Sequence, residues 1–249
     1  MSDTSAPPAD EALPLFLADP YLFEAPARVE AITPEGRLRL DRPLFYPAGG
    51  GQPGDAGMLE GPGGALAILD TRKGPDGAPE LVPAEGASLP EPGTEVLQRL
   101  DAPRRLGHMR VHTALHLLSV VIPLPVTGGQ IGADRGRLDF DMPDAPDDRE
   151  ALEARLNALI AGDHPVGMEW ITDAELEANP ALVKTMAVKP PMGLGRVRLI
   201  RIGAGAGTVD LQPCGGTHVR ATAEIGAVRL GKIEKKGKRN RRVTLLLDD

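Results

Sequence analysis

Between residues 26 and 60 apolar and polar side chains alternate in short runs. Arg28–Thr33 and Arg37–Asp41 each follow a period of two, and Pro34, Glu35 and Gly36 separate them, so the pattern predicts a β-hairpin. The apolar run Leu44-Phe45-Tyr46 then opens into Pro47-Ala48-Gly49-Gly50-Gly51-Gln52-Pro53-Gly54-Asp55. Such a glycine-rich loop lets backbone approach a ligand closely. Weak strands broken by Pro and Gly continue to Val96–Leu100, and Pro90, Pro92 and Pro103 place a domain boundary near residues 90–103.

The second half has a different period. Leu106 to Ile122 carries apolar residues on nearly every face and ends at Pro123, which predicts a mostly buried helix. Val126–Phe140 reads as a hairpin containing glycine. Asp147–Ile160 reads as an amphipathic helix with Leu152, Leu156, Leu159 and Ile160 on one face and an acidic start suited to the helix dipole. Thr172-Asp173-Ala174-Glu175 is a capping-box signature for a short helix that Asn179-Pro180 stops. Strands are expected at about 197–202, 208–212, 226–233 and 241–247. The predicted class is α+β: a lead-in over 1–25, a glycine-rich, β-barrel-like domain over 26–100, and a domain over 101–249 with helices packed on a mainly antiparallel sheet.

Composition narrows what these elements can do. Glycine and proline number 30 and 25 among 249 residues, spread without a period, which excludes collagen and agrees with many turns and short strands. No run of apolar residues is long enough for a transmembrane helix. Met1–Pro14 is acidic and proline-rich, which predicts a disordered tail and not a secretory signal. Aromatics are only 3%, which argues against a base-stacking single-strand binder built on aromatic platforms. The absence of a P-loop argues against ATP use. The single cysteine, Cys214, excludes an internal disulfide and fits a reducing compartment such as the cytoplasm, or a metal site. The net charge is −7, yet Lys232 to Arg242 holds seven basic side chains and one acid. That contrast points to an anionic partner at this end, with a solvated hairpin as the plainer reading.

The histidines carry the candidate chemistry. His112 and His116 lie one helical turn apart, so both imidazoles can lean toward one point. Cys214-Gly215-Gly216-Thr217-His218 sets the only cysteine four residues before another histidine, with glycines that let the chain turn. Together these make a mixed nitrogen and sulfur donor set of the kind zinc prefers. The competing reading takes Cys214 as a small buried hydrophobe and His218 as a satisfied loop histidine. His108 sits one turn before His112, where a core or solvent role competes with the edge of a metal site, and His164 has no partner in sequence. Glu169 and Asp210 are acids that could orient a ligating histidine, and position alone does not choose between them.

Three blocks resemble the AlaX family of free-standing alanyl-tRNA editing proteins: Phe45-Tyr46-Pro47-Ala48-Gly49-Gly50-Gly51-Gln52, His112-Thr113-Ala114-Leu115-His116-Leu117-Leu118 and Cys214-Gly215-Gly216-Thr217-His218-Val219. Val126–Ile131 and Lys236–Arg242 are similar to that family as well. The glycine-rich first domain is that of the middle-sized class, which lacks the long C-terminal extension of the largest members. The resemblance implies hydrolysis of Ser-tRNA(Ala), with Gly-tRNA(Ala) as a second candidate, while Ala-tRNA(Ala) is spared. It places His112, His116, Cys214 and His218 at the zinc, Thr127 where serine's hydroxyl is recognised, and Gln52 in a loop near the editing pocket.

The physical logic of that implication is that a site hydrogen-bonding the serine hydroxyl leaves its own groups unpaired with alanine. A catalytic zinc keeps a position for water, so one of the four ligands, His218, is expected to bind weakly or through water. The N–H groups of Gly49, Gly50 and Gly51 are candidate donors to the attacked carbonyl. Lys232, Lys235, Lys236, Lys238, Arg239, Arg241 and Arg242 are the candidate tRNA phosphate contacts. Three alternatives stay open: editing of another aminoacyl-tRNA, since the second domain of threonyl-tRNA synthetase shares the histidine and cysteine blocks; a non-enzymatic tRNA-binding module with a structural zinc; and a metallohydrolase of small acylated molecules.

Overall fold

A computed structural model of the chain describes residues 13–146, 148–185 and 195–248. Most of the expected N-terminal tail, and Asp147 at the expected start of the amphipathic helix, lie outside these residues. The chain divides into two compact units, one running to His108 and the other from Met109 onward.

The first unit begins with a helical turn, α1 (Leu15–Ala18), inside the lead-in for which the sequence predicts no element. Its Phe16 is buried and meets the Tyr46 ring edge-on at 5.6 Å. Six strands follow: β1 (Glu24–Ile32), β2 (Leu38–Leu40), β3 (Gly57–Gly61), β4 (Gly64–Lys73), β5 (Pro79–Pro83) and β6 (Glu95–Leu100). They close into a barrel in the order β1-β2-β5-β4-β3-β6. The alternation seen in sequence aims Ala25, Ala27 and Val29 of β1 inward, onto Leu38, Leu59, Ile68, Leu81 and Val96 of the other strands. The expected hairpin is present, with Val29 opposite Leu40 and Ile32 opposite Leu38.

The long helix α2 (Ala102–Val121) starts one turn earlier than its apolar pattern suggests. Asp101 caps it, its carboxylate accepting from the Arg104 N–H at 3.0 Å. Pro103 therefore sits in the first turn, where its missing N–H costs nothing, and does not mark a linker. Arg105 on this helix is fully buried within the first unit. Its guanidinium donates to both carboxylate oxygens of Asp55, at 3.1 and 2.9 Å from Nε, and to the carbonyls of Pro20 and Leu44. Asp55 also accepts from the Tyr46 N–H, and its carbonyl accepts from the Thr71 hydroxyl, so this pair fixes both ends of the glycine loop.

The second unit contains β7 (Val126–Ile131), β8 (Arg135–Asp141), α3 (Arg149–Ala161), β9 (Val166–Thr172), α4 (Asp173–Ala178), β10 (Arg196–Ile202), β11 (Asp210–Pro213), β12 (Val228–Leu230), β13 (Glu234–Lys235) and β14 (Asn240–Leu247). One antiparallel sheet has the order β11-β10-β9; the other runs β12-β14-β8-β7, with β13 paired to β14. The capping box of α4 forms as expected, Thr172 and Glu175 each bonding the other's backbone N–H. In α3 only Leu156 and Ile160 are buried, so the apolar face is narrower than the sequence suggests. Gly136 lets α2 lie close on β8: a Cβ there would meet Val111 at 2.6 Å and Leu115 at 2.9 Å.

Removing one member of the Arg105–Asp55 pair leaves the other charge buried alone. Arg105→Met is expected to cost about 3–5 kcal/mol of unfolding free energy, with Asp55→Leu added to it restoring part of the loss. Denaturant unfolding of the two variants checks this; equal stability of Arg105→Met and wild type would overturn it.

Candidate metal centre

Helix α2 delivers the first two donors. Residues 111–119 are buried on every side, which forces the polar His112, Thr113, His116 and Ser119 to find partners inside the unit. The other two donors come from the loop after β11. Cys214 follows Pro213 directly, and His218 lies four residues on. Cys214 Sγ sits 3.4 Å from His112 Nε2 and 3.3 Å from His218 Nε2, and the ligand atoms of His112, His116, Cys214 and His218 all lie within 4.8 Å of one another.

Two of the three rings, His116 and His218, are aimed by a bond to the far nitrogen. His116 Nδ1 bonds Asp210 Oδ2 at 3.0 Å. His218 Nδ1 lies 3.1 Å from Thr113 Oγ1, whose own proton goes to the Met109 carbonyl at 2.9 Å. The Thr113 oxygen must then accept, so His218 carries its proton on Nδ1 and presents the Nε2 lone pair to the cluster. Asp210 in turn accepts from Lys184 and from Gln212 Nε2 at 2.7 Å. The loop itself is pinned by Arg198, whose guanidinium donates to the Cys214 and Gly216 carbonyls, both at 2.9 Å, while its carbonyl accepts from the Cys214 N–H.

The electrostatics favour the metal-binding form at Cys214 and His218, while His116 has a proton to release before it can ligate. Burial would raise the Cys214 thiol, but His112 and His218 beside it hold it well below its ordinary value. Burial and neighbouring His112 push His218 well down, so it stays neutral. Burial also works against a charge on His116, yet bonds to Asp210 and Cys214 hold it up at about 9. Asp210 is buried too, and His116 and Lys184 keep it ionised, far below the usual carboxylate range.

The donor set fits zinc. Zinc–nitrogen bonds of about 2.05 Å and zinc–sulfur bonds of about 2.3 Å give a tetrahedral N···S edge near 3.5 Å. The 3.3 and 3.4 Å separations match that edge. Three imidazoles and a thiolate suit zinc, whereas magnesium and calcium prefer oxygen donors.

Other expected residues fall elsewhere. His108 is buried and is not among the four clustered donors. The His164 N–H donates to the Thr222 hydroxyl and its carbonyl accepts from the Thr222 N–H, and Glu169 pairs with Arg201; of the two candidate acids, Asp210 reaches a cluster histidine. Thr127 lies in the bulge of β7; its hydroxyl donates to the Asp139 carbonyl at 3.1 Å and accepts from Asn240 Nδ2 at 3.2 Å. In the first unit, Gln52 is buried, and Gly49 and Gln52 exchange both backbone bonds. The Gly49 N–H is therefore committed, while Gly50 and Gly51, with φ of 59° and 85°, turn the loop.

Of the expected phosphate contacts, Arg241 is misplaced by the sequence reading. It shares the inward phase of Val243, Leu245 and Leu247 and is buried, donating to the Pro143, Gly237 and Asn240 carbonyls. Arg239 pairs with Asp141, Arg242 with Asp139 and Lys236 with Glu234. Lys232, Lys235 and Lys238 are exposed, with no ion-pair partner among the described residues. Sequence reasoning passed over Thr113, Lys184, Arg198 and Gln212. Thr113 was the legible one, because it stands one residue after a ligand on a helix buried on all sides.

Asp210→Asn keeps the shape and removes the charge, and is expected to weaken zinc binding about 10- to 100-fold in competition with a chromophoric chelator. Glu169→Gln is expected to leave the affinity unchanged. Equal affinities for both variants would remove Asp210 from the support of the centre.

Comparison with known proteins agrees with this geometry. The profile of the threonyl and alanyl tRNA synthetase second additional domain matches residues 197–244, a span holding Asp210, Cys214 and His218. An alanyl-tRNA editing protein AlaX-M of Methanosarcina acetivorans is 35% identical over 94% of this chain and 98% of its own length. The alanyl-tRNA editing protein AlaX-L of Pyrococcus horikoshii is 33% identical over 90% of this chain and 55% of its own. An alanine–tRNA ligase of Caldivirga maquilingensis is 34% identical over 92% of this chain and 26% of its own. With 35% identity to the first of these over nearly its whole length and a largely buried histidine and cysteine cluster, the chain belongs to the AlaX family of alanyl-tRNA editing proteins.

Proposed function

We propose that this protein hydrolyses the ester of mischarged tRNA(Ala), acting in the cytoplasm on Ser-tRNA(Ala) and secondarily on Gly-tRNA(Ala), with zinc as its cofactor. The observation that carries the reading is the cluster of His112, His116, Cys214 and His218 in a member of an alanyl-tRNA editing family. Zinc held there supplies a Lewis acid that polarises an ester carbonyl or holds the amino group of the substrate.

The chain's own residues do the rest. Asp210 and Thr113 keep His116 and His218 turned toward the cluster. The Thr127 hydroxyl has given its proton to Asp139 and accepted one bond from Asn240, which leaves one lone pair. A serine hydroxyl donates into that lone pair; alanine has nothing to offer it. Discrimination of this kind does not depend on rejecting a larger side chain, which a pocket sized for alanine does poorly. Exposed Lys232, Lys235 and Lys238 serve as phosphate contacts, with binding dominated by backbone charge and shape.

A second reading has its own observation behind it. All four donors are protein side chains, and a zinc with four protein ligands is structural. On that reading the protein binds tRNA without turnover.

A paired time course on Ser-tRNA(Ala) and Ala-tRNA(Ala) decides between them. Expected is loss of serine with alanine retained, abolished by chelation and restored by zinc. Retention of both by zinc-loaded protein that still binds tRNA would establish the second reading. Thr127→Val is expected to slow serine removal roughly 3- to 10-fold. Replacing Lys232, Lys235 and Lys238 by Gln is expected to make the dependence of log affinity on log salt shallower by about 2. An unchanged slope would remove these lysines from the interface.

A further inference from the structure

Among the described residues the sheet that carries the metal centre ends at β9, whose start is met by the Arg220 carbonyl through the Val166 N–H. On β10 and β11, Asp210, Gln212, Ile202, Ile200 and Arg198 share one face, the face from which Asp210 reaches His116. The antiparallel register continues this face onto β9, which is the edge strand: Met168 stands opposite Ile200 and Trp170 opposite Arg198. Residues directly opposite share a side of the sheet, with Cβ atoms about 5 Å apart. Trp170 is thus one side chain away from the guanidinium that clamps the Cys214–Gly216 loop.

Coverage falls off along that face. Ile200 and Ile202 are buried, Arg198 nearly so, while Trp170 is half-buried and Met168 is 39% exposed. Arg196 lies over the indole, its guanidinium carbon 4.7 Å from the ring centroid. A flat aromatic ring bearing a stacked cation, opposite the arginine that holds the Cys214–Gly216 loop, matches what an RNA base needs: a π-face to stack on and positive charge for the attached phosphate.

We propose that Trp170 and Arg196 form the seat for the nucleobase at the 3′ end of the substrate RNA, the nucleotide that carries the aminoacyl ester. This rests on the deacylation reading above and deepens it. The ester and the base belong to one nucleotide, so a base seated at the rim of the sheet places its ribose toward the cluster. One such platform fixes the reacting nucleotide and takes no part in tRNA identity, which is why a chain with so few aromatics can use it.

Trp170 is the only tryptophan of the chain, so its intrinsic fluorescence reports this ring alone. The probes are the RNA trinucleotide CCA, the end common to tRNAs, and the same trinucleotide with an abasic 3′ residue. Expected is saturable quenching by CCA that the abasic probe loses. No quenching by CCA, or equal quenching by both probes, would overturn the seat and leave at most a phosphate contact. In the deacylation assay Trp170→Ala is expected to raise KM roughly 10- to 100-fold, with the loss falling on KM and not on kcat, and Trp170→Phe to restore most of it. A loss confined to kcat, or a KM unmoved in a folded Trp170→Ala protein, would count against stacking; if that variant does not fold, the fluorescence comparison on wild type decides. Quenching by CCA in a protein that deacylates nothing keeps the seat and removes the editing reading, whereas deacylation without base-dependent quenching does the reverse.

Discussion

Three imidazoles and a thiol can share one buried point only if every ring is turned the right way. An imidazole left to itself has two tautomers and two faces, and a buried polar ring without partners is costly. For two of the three rings the far nitrogen settles the matter. Asp210 takes His116, and Thr113, having spent its own proton on the helix backbone, takes His218. The rest of the second unit follows from that requirement. Strand β11 must bring Asp210 beside α2, Gln212 and Lys184 must satisfy the remaining carboxylate positions, and Arg198 must hold the following loop so that Cys214 closes the cluster. A partly satisfied network of this kind would be worse than an apolar core.

The β10–β11 hairpin is economical in this respect. One short strand begins with the acid that orients a helix histidine and runs straight into the cysteine that joins it. Its neighbour supplies the arginine that fixes the turn. The domain profile begins at Val197 and so covers this hairpin and the strands after it, while the two helix histidines lie before its match. The centre is therefore assembled from strands inside the matched span and a helix that reaches it from a distant part of the chain.

How much of this the sequence disclosed depended on the kind of signal. The helix bearing His112 and His116, the capping box at Thr172 and the hairpin around Gly36 are local, and their periods and turn residues declare them. The four clustered donors were legible because glycine and one-turn spacing are local too. What stayed hidden was long-range. Strand β9 lacks clean alternation because it is an edge with a mixed face. Arg105 and Arg198 look like ordinary surface charges, and only partners 50 and 16 residues away put them inside. Asp210 and Glu169 are equivalent acids in sequence; strand register alone decides which one meets a histidine. Arg241 is a different failure, since its phase with Val243, Leu245 and Leu247 was readable and was outweighed by its basic neighbours.

That phase has a wider meaning. Strand β14 is a two-sided tape: one edge of its alternation is core, and the other carries Arg242 and Thr244 outward. A gain or loss of one residue within the strand would exchange the two sides along its remaining length, burying cations and exposing leucines. A change of two would keep the sides and merely shift the register. Among descendants of this sequence, length changes inside β14 should therefore survive only in even steps, while the turn at Gly237 and Lys238 is bound by no such parity.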